Sequence, residues 1–227
     1  MATLNTLLAP DLIKPGTLWT LLSNVNGYGR PTGDNLTTQG RHGRSIRLLE
    51  RRGDRLLVQL LEDGYRCWMD RDALIGRAEQ RAVWQPTLLP ATDIQRRLPA
   101  VLAWSQRAQQ QPNNYLWGGT TEPNMDCSGL VQLAFASQDI WIPRDAYQQE
   151  RFCQPVAVQV GQLQLLQPGD LIFFGSKRRC THVGIHLGEG FYRHSSGREH
   201  GRNGIGVDSL HPDRKSTRLN SSHRCIS

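Results

Sequence analysis

Asn124-Met125-Asp126-Cys127-Ser128-Gly129-Leu130-Val131-Gln132-Leu133-Ala134-Phe135 places two polar residues and a cysteine immediately before an apolar, helix-compatible run. Asp126 is a favourable N-cap, because its carboxylate can accept the free amide protons of the first turn. Cys127 then falls in that turn, near the positive end of the helix dipole. There a thiolate, the nucleophilic form, is favoured over a thiol. Most free cysteines are inert buried side chains, so a nucleophile at Cys127 requires partners elsewhere in the chain.

Those partners come downstream. Leu166-Gln167-Pro168-Gly169-Asp170 reads as a turn and Leu171-Ile172-Phe173-Phe174 as a buried strand. Thr181-His182-Val183-Gly184-Ile185-His186-Leu187 then alternates, Gly188-Glu189-Gly190 turns, and Phe191-Tyr192-Arg193-His194-Ser195-Ser196 returns. A hairpin centred on Gly188 pairs His182 directly with His194, and one centred on Glu189 makes them diagonal neighbours on one face. A two-residue turn would separate them onto opposite faces. His186 shares the face of His182 but lies about 13 Å further along the strand, which makes it the poorer partner.

A thiol at a helix start, a histidine on a strand and a second polar group on the next strand form the set required for nucleophilic acyl transfer. Cys127 is the expected nucleophile and His182 the general base and acid. His194 is the orienting residue, held in the tautomer that accepts from His182. Backbone amides at the helix start, that of Cys127 included, are the expected oxyanion donors. Zinc is the rival use of cysteine and histidine. Cys180 and His182 make one close pair, but no second pair has ligand spacing, so no metal is expected.

Upstream, residues 1–80 read as small and mainly β. Ser45-Ile46-Arg47-Leu48-Leu49-Glu50 and Leu56-Leu57-Val58-Gln59-Leu60-Leu61 are strand-like, joined by hairpin chemistry at Arg51-Arg52-Gly53-Asp54-Arg55. Another strand is expected around Arg66-Cys67-Trp68-Met69, and the spacing suggests a small barrel. Residues 81–91, with Pro86 and Pro90, form a linker. From Thr92 the pattern becomes helical, with Pro99 fitting the first turn of a helix that begins near Leu98. A further helix is expected to start around Tyr147.

Composition is that of an ordinary globular protein, with 38% hydrophobic and 21% charged residues in 227. The first residues lack a basic n-region and a sustained apolar stretch, so no secretory signal is expected. No run approaches the ~18 apolar residues needed to cross a membrane, and no membrane partner is expected. Five cysteines without CxxC spacing suit free thiols in a reducing cytoplasm, with Cys67, Cys153 and Cys180 as filler.

Residues 213–223 show no apolar periodicity and read like no element. They resemble the conceptual translation of a sequencing-library adapter, so residues 214–227 are expected to be a non-native tail. That tail holds four cations and no acid, and without it the charge falls from +7 to +3. This is too mild to point to nucleic acid.

Five ordered motifs carry a family resemblance: Tyr115-Leu116-Trp117-Gly118-Gly119, Asp126 to Gln132, Ile142-Pro143-Arg144-Asp145-Ala146-Tyr147-Gln148, Leu166 to Leu171, and His182-Val183-Gly184-Ile185. Together they resemble the NlpC-type papain-like cell-wall peptidases. The likeness extends in particular to cyanobacterial γ-D-glutamyl-L-diamino-acid endopeptidases with an N-terminal bacterial SH3-like domain. It is close over residues 95–210 and looser over 1–80.

The resemblance implies an α+β chain: a small all-β SH3-like barrel at 1–80, then a papain-like NlpC-type catalytic domain at 92–213. It implies cleavage between D-glutamate, through its γ-carboxyl, and a diamino acid in murein stem peptides, with no metal or organic cofactor. Cys127, His182 and His194 match the triad of such enzymes. Asp126 and Tyr65 match residues that hold the free amine of an N-terminal L-alanine, a charge that suits a carboxylate and a hydroxyl. Ser128, Arg144 and Asp145 are further expected substrate contacts, and Trp117 a pocket wall. A free-amine preference and the missing signal together imply peptide recycling in the cytoplasm. The alternatives are a non-catalytic wall-peptide-binding protein and a cysteine acyltransferase on the same fold. Relatives continue past Leu210 with a last strand of the catalytic domain, where this chain has the adapter-like tail.

Overall fold

The computed structural model describes residues 5–82, 84–158, 163–176, 178–211 and 219–224. The chain forms two compact units, Met1–Thr87 with Trp117–Thr121, and Leu88–Leu116 with Glu122–Ser227.

The first unit is all-β apart from short helical turns. Its strands are β1 (Leu18–Leu21), β2 (Val25–Tyr28), β3 (Leu36–Gly40), β4 (Ser45–Arg52), β5 (Arg55–Leu60) and β6 (Arg66–Asp70). The short helix α1 (Arg71–Leu74) and β7 (Ala78–Glu79) follow. The sheet order is β3-β2-β6-β5-β4-β1-β7. Alternation along β5 sends Leu56, Val58 and Leu60 into a core with Trp19, Leu21, Ile46, Leu48 and Met69. The β4–β5 hairpin closes over Gly53-Asp54, a tighter turn than the five residues expected. Gly53 has φ 56°, a conformation that costs glycine least.

In the same unit a buried Arg44 holds the turn before β6. Its Nε donates to Glu62 Oε2 at 3.0 Å and its Nη2 lies 2.9 Å from Asp63 Oδ1, which also accepts the Tyr65 N–H at 3.0 Å. Residues 117–121 join this unit through Gln39. The Gln39 N–H donates to Thr120 Oγ1 at 2.8 Å, and Gln39 Oε1 accepts from Thr120 N at 3.1 Å and Thr121 Oγ1 at 2.8 Å. Gly118 has φ 79°, and a Cβ there would press on the Leu36 carbonyl.

The second unit contains α2 (Ala91–Gln110), α3 (Cys127–Ala136), α4 (Ala146–Phe152), β8 (Gln154–Pro155), β9 (Leu171–Ser176), β10 (Arg179–Gly188), β11 (Phe191–Ser196), β12 (Gly204–Ser209) and β13 (Leu219–Arg224). Its sheet runs β12-β11-β10-β9-β13-β8. Helix α3 is mainly apolar, with Ser128 and Gln132 its polar exceptions, and every one of its residues is buried, as a central core helix requires. Val131, Ala134 and Phe135 pack in one cluster with Phe173, Val183 and Ile185.

Three expectations are corrected here. Helix α2 begins at Ala91 and runs through Pro99 rather than starting near it. Proline removes one hydrogen bond, but Ile94 and Val101 are buried on either side of it and Leu98 packs on the same core, which keeps the helix continuous. Residues 219–224 form a strand rather than no element, β13, antiparallel to β9 and β8. A sheet edge pairs through main-chain groups, which need no apolar periodicity. Residues 214–218 and 225–227 of the tail, Cys225 among them, lie outside the described residues. Cys67, Cys127 and Cys180 are free and buried, but Cys153 is disulfide-bonded. Chain spacing does not reveal which thiols meet in space.

Candidate active site

Helix α3 starts as its sequence dictates. Asp126 is extended (φ −82°, ψ −178°) and its side chain accepts from Gly129 N at 2.7 Å, leaving Cys127 as the first helical residue. A buried network surrounds that cap. Arg144 donates through Nη2 to Asp126 Oδ2 at 2.6 Å and through Nη1 to Asp126 Oδ1 at 3.2 Å and Ser128 Oγ at 2.7 Å. Gln149 Nε2 donates to the carbonyls of Ser128 at 3.1 Å and Pro143 at 2.9 Å, which fixes the Arg144 loop against the helix start. On the other side, Ser195 Oγ donates to Met125 O at 2.7 Å and ties β11 to the residue just before the cap.

The backbone N–H groups of Val183 and Ser128 point at the Cys127 sulfur, so β10 runs past the thiol at the residue after His182. The hairpin register is Ile185↔Arg193 and His186↔Tyr192, with a bulge toward Gly188. The hairpin is therefore centred on Glu189, the second of the three registers considered, and His182 and His194 are diagonal neighbours. His182 Nε2 and His194 Nδ1 are 2.7 Å apart and the rings meet edge-on at 88°. His186 takes no part. Its Nδ1 is bonded to Gln167 O at 3.0 Å and its Nε2 accepts the Gly190 N–H at 3.3 Å.

Burial dominates the electrostatics. It pushes the Cys127 thiol up to about 12, with the Asp126 charge adding and the Val183 N–H, Arg144 and the Ser128 N–H opposing. The expectation of a resting thiolate is thus corrected, because loss of water outweighs the helix terminus. Burial, then His194 and His200, hold His182 down to about 3, and burial holds His194 below the ordinary imidazole range. The resting pair is a thiol beside a neutral imidazole.

A pH dependence of stability follows, since both histidines have folded values below their unfolded ones. The unfolded chain takes up protons first as pH falls below the ordinary imidazole value of about 6.5, so stability is full above that value and is lost on acidification. Chemical denaturation at pH 7, 6, 5 and 4 is expected to show a loss of up to about 1.4 kcal/mol per pH unit from His182 within that window. His182→Gln should flatten the slope.

The remaining expected residues are placed as follows. Asp145 is the N-cap of α4, and its N–H donates to Gln148 Oε1 at 3.3 Å. Arg144 is 2% exposed, so it is no surface group. Tyr65 and Trp117 belong to the first unit, where Tyr65 is partly buried against the core and Trp117 is 67% exposed.

Near Cys127, His182 and His194 stand Tyr115, which the motif reading gives no role, and Asp208 and Arg202, which the sequence reading does not single out. Tyr115 is bridged to Met125, and burial, with the nearby Asp126 charge, raises its pKa, so it stays a protonated donor. Asp208 Oδ2 lies 2.9 Å from His194 Nε2, and Arg202 Nη2 donates to Asp208 Oδ1 at 2.5 Å. Alternation in Gly204-Ile205-Gly206-Val207-Asp208-Ser209 was the available signal. Among the described residues no group of three or more His, Cys, Asp or Glu could hold a metal ion, and no helix is long and apolar enough to cross a membrane.

A cysteine-bearing core helix against a sheet that carries two paired histidines defines a papain-like NlpC-type α+β fold, here preceded by an all-β SH3-like unit. Residues 112–222 match the NlpC/P60 family and residues 27–74 the bacterial dipeptidyl-peptidase SH3 domain, so the chain carries an NlpC/P60 domain and a bacterial SH3 domain. It is 42% identical over 82 residues to the "Probable endopeptidase" of Mycobacterium tuberculosis, covering 36% of this chain and 20% of that one. It is 40% identical over 80 residues to the bifunctional muramidase/DL-endopeptidase CwlT of Bacillus subtilis, covering 34% and 23%. It is 30% identical over 123 residues to the murein DD-endopeptidase MepS/murein LD-carboxypeptidase of Escherichia coli, covering 54% and 61%. The chain thus spans between 20% and 61% of the length of these curated relatives.

Proposed function

We propose that this chain is a cysteine peptidase that cleaves the γ-D-glutamyl–diamino acid bond of murein stem peptides carrying a free N-terminal L-alanine. The observation that carries this reading is the buried thiol at the start of α3, run past by the strand whose His182 is bonded to His194. Relatives named as murein and DL-endopeptidases support the substrate class. As Cys127 Sγ attacks the γ-glutamyl carbonyl, its proton passes to His182. His182 then returns that proton to the departing amine, and water releases the acyl group from sulfur. Backbone N–H groups at the start of α3 and the Tyr115 hydroxyl are the donors for the developing oxyanion.

Within the second unit the amine-reading role falls to Asp126, with Ser128, Arg144 and Asp145 shaping the remainder, and the family resemblance alone extends these roles to Tyr65 and Trp117. Asp126 already accepts from Gly129 and Arg144, so a substrate ammonium would add to a carboxylate that is partly neutralised. The proposed setting is peptide recycling in the cytoplasm, which cell fractionation checks.

Mass spectrometry of diaminopimelate release tests the specificity. L-Ala-γ-D-Glu-meso-diaminopimelate is expected to be cleaved and its N-acetyl form to react at least ~10-fold more slowly, the scale of one lost charge-assisted contact. Equal rates would remove the amine-reading role and leave the peptidase. A folded protein that cleaves neither peptide but binds the free one would favour the wall-peptide-binding alternative.

A further inference from the structure

Strand β12 continues the diagonal that His182 and His194 begin. His194 lies opposite Gly206 in the β11–β12 ladder, so Asp208, two residues on, is its diagonal neighbour on the same face. The register Ile185↔Arg193 likewise puts Gly184 opposite His194 on β10. Both direct cross-strand neighbours of His194 are therefore glycines, and each leaves a space that is used. A Cβ on Gly184 would crowd the Tyr192 ring and the His194 Cβ, and one on Gly206 would occupy the space of the Arg202 guanidinium.

Hydrogen-bond direction along this line is fixed from its far end. Asp208 is an ionised carboxylate that only accepts: burial would raise its pKa, but His194 and Arg202 outweigh that and hold it below the ordinary range. His194 Nε2 must then carry the proton, which leaves His194 Nδ1 bare and able to accept from His182 Nε2–H. His182 in turn has Nδ1 bare, the lone pair that a base needs. We infer that Asp208, clamped by Arg202, is a positioning residue that sets the tautomers of both histidines and so keeps His182 in its basic form. This rests on the peptidase reading above only for its catalytic consequence, since the tautomers can be read without turnover.

The Arg202 clamp supplies a discriminating variant. In Asp208→Asn the amide oxygen would stay on the Arg202 donor, so its NH2 group would face His194 Nε2. His194 would have to accept there and protonate Nδ1, and His182 would be driven to Nδ1–H, with no lone pair for the thiol. Removing the donor as well, in Asp208→Asn/Arg202→Met, frees the amide to turn its oxygen toward His194.

The test combines long-range 1H–15N imidazole spectra with kinetics on L-Ala-γ-D-Glu-meso-diaminopimelate. Wild type is expected to show Nε2–H on both histidines, and Asp208→Asn to show Nδ1–H on both. Its kcat should fall by about 100-fold or more with KM little changed, in line with the loss seen for a wrong-tautomer triad. The double variant should regain Nε2–H and at least ~10-fold of the lost kcat, which relief of a purely structural defect would not give. Unchanged tautomers in Asp208→Asn, with or without a loss of kcat, would overturn the inference. If Asp208→Asn does not fold, the wild-type spectrum still decides, because Nδ1–H on His194 is incompatible with it. Expected tautomers in a wild type that cleaves no peptide would instead remove the peptidase reading and keep the positioning role.

Discussion

Cys127→Ala is expected to release no measurable diaminopimelate from L-Ala-γ-D-Glu-meso-diaminopimelate, a loss of about 10⁴-fold or more, while still binding the peptide. The methyl group cannot form the acyl-enzyme, and the neighbouring Ser128 does not take its place. Its Oγ is held by Arg144 at 2.7 Å and lies 3.3 Å from Asp126 Oδ1. His182→Ala should cost a similar factor, because the resting sulfur is a thiol and depends on the imidazole to leave as thiolate. The two act as a unit, so Cys127→Ala/His182→Ala should be no slower than either single variant. Single-turnover mass spectrometry checks all three proteins, and calorimetric titration of the uncleaved peptide checks that binding persists. A Cys127→Ala protein that still turns over would remove the thiol from the mechanism and with it the cysteine-peptidase reading.

The elements that hold this site were legible to different depths for physical reasons. The start of α3 was plain, since a capping carboxylate followed by an apolar run admits one local solution. The hairpin gave both histidines, but its register stayed open among three turns, because Gly188-Glu189-Gly190 permits each of them. The structure settles it with a left-handed Glu189 (φ 51°) and a bulge. Asp208 and Arg202 were hidden for another reason: Asp208 lies on a short strand broken by two glycines, and Arg202 precedes that strand. Here the glycines make room for side chains rather than a turn, Gly204 for Asn113 and Gly206 for the Arg202 guanidinium.

The protonation of Cys127 differs from the expectation because a helix terminus can be read from sequence and burial among elements distant in the chain cannot. Arg144 was quoted among the family motifs and expected at the substrate. Its full burial against Asp126 follows from Gln149 and Gln132, whose amides hold the carbonyls of Pro143 at 2.9 Å and Ile142 at 3.0 Å. Such long-range side-chain-to-backbone bonds leave no periodic trace.

That burial makes Arg144→Met the most destabilising single change anticipated here. The guanidinium is 2% exposed and its partner carboxylate 9%, so neither can be solvated when the other is removed. Breaking a buried pair by deleting one partner costs about 3–5 kcal/mol, because the remaining charge stays desolvated. In Arg144→Met the carboxylate keeps the Gly129 N–H but loses both guanidinium donors, and the Ser128 hydroxyl loses a third contact. Asp126→Asn should be milder than Arg144→Met. It keeps an oxygen for the Gly129 N–H, though it strands the arginine charge. Pairing the two changes, Asp126→Asn/Arg144→Met, removes both charges and should recover about 2 kcal/mol or more of the Arg144→Met loss. Equilibrium urea unfolding of the four proteins at pH 7 closes the cycle. If Arg144→Met loses less than about 1 kcal/mol, the pair behaves as a solvated surface contact. The network would then be free to open and receive a substrate ammonium, and Asp126 would be a reader of the peptide before it is a cap.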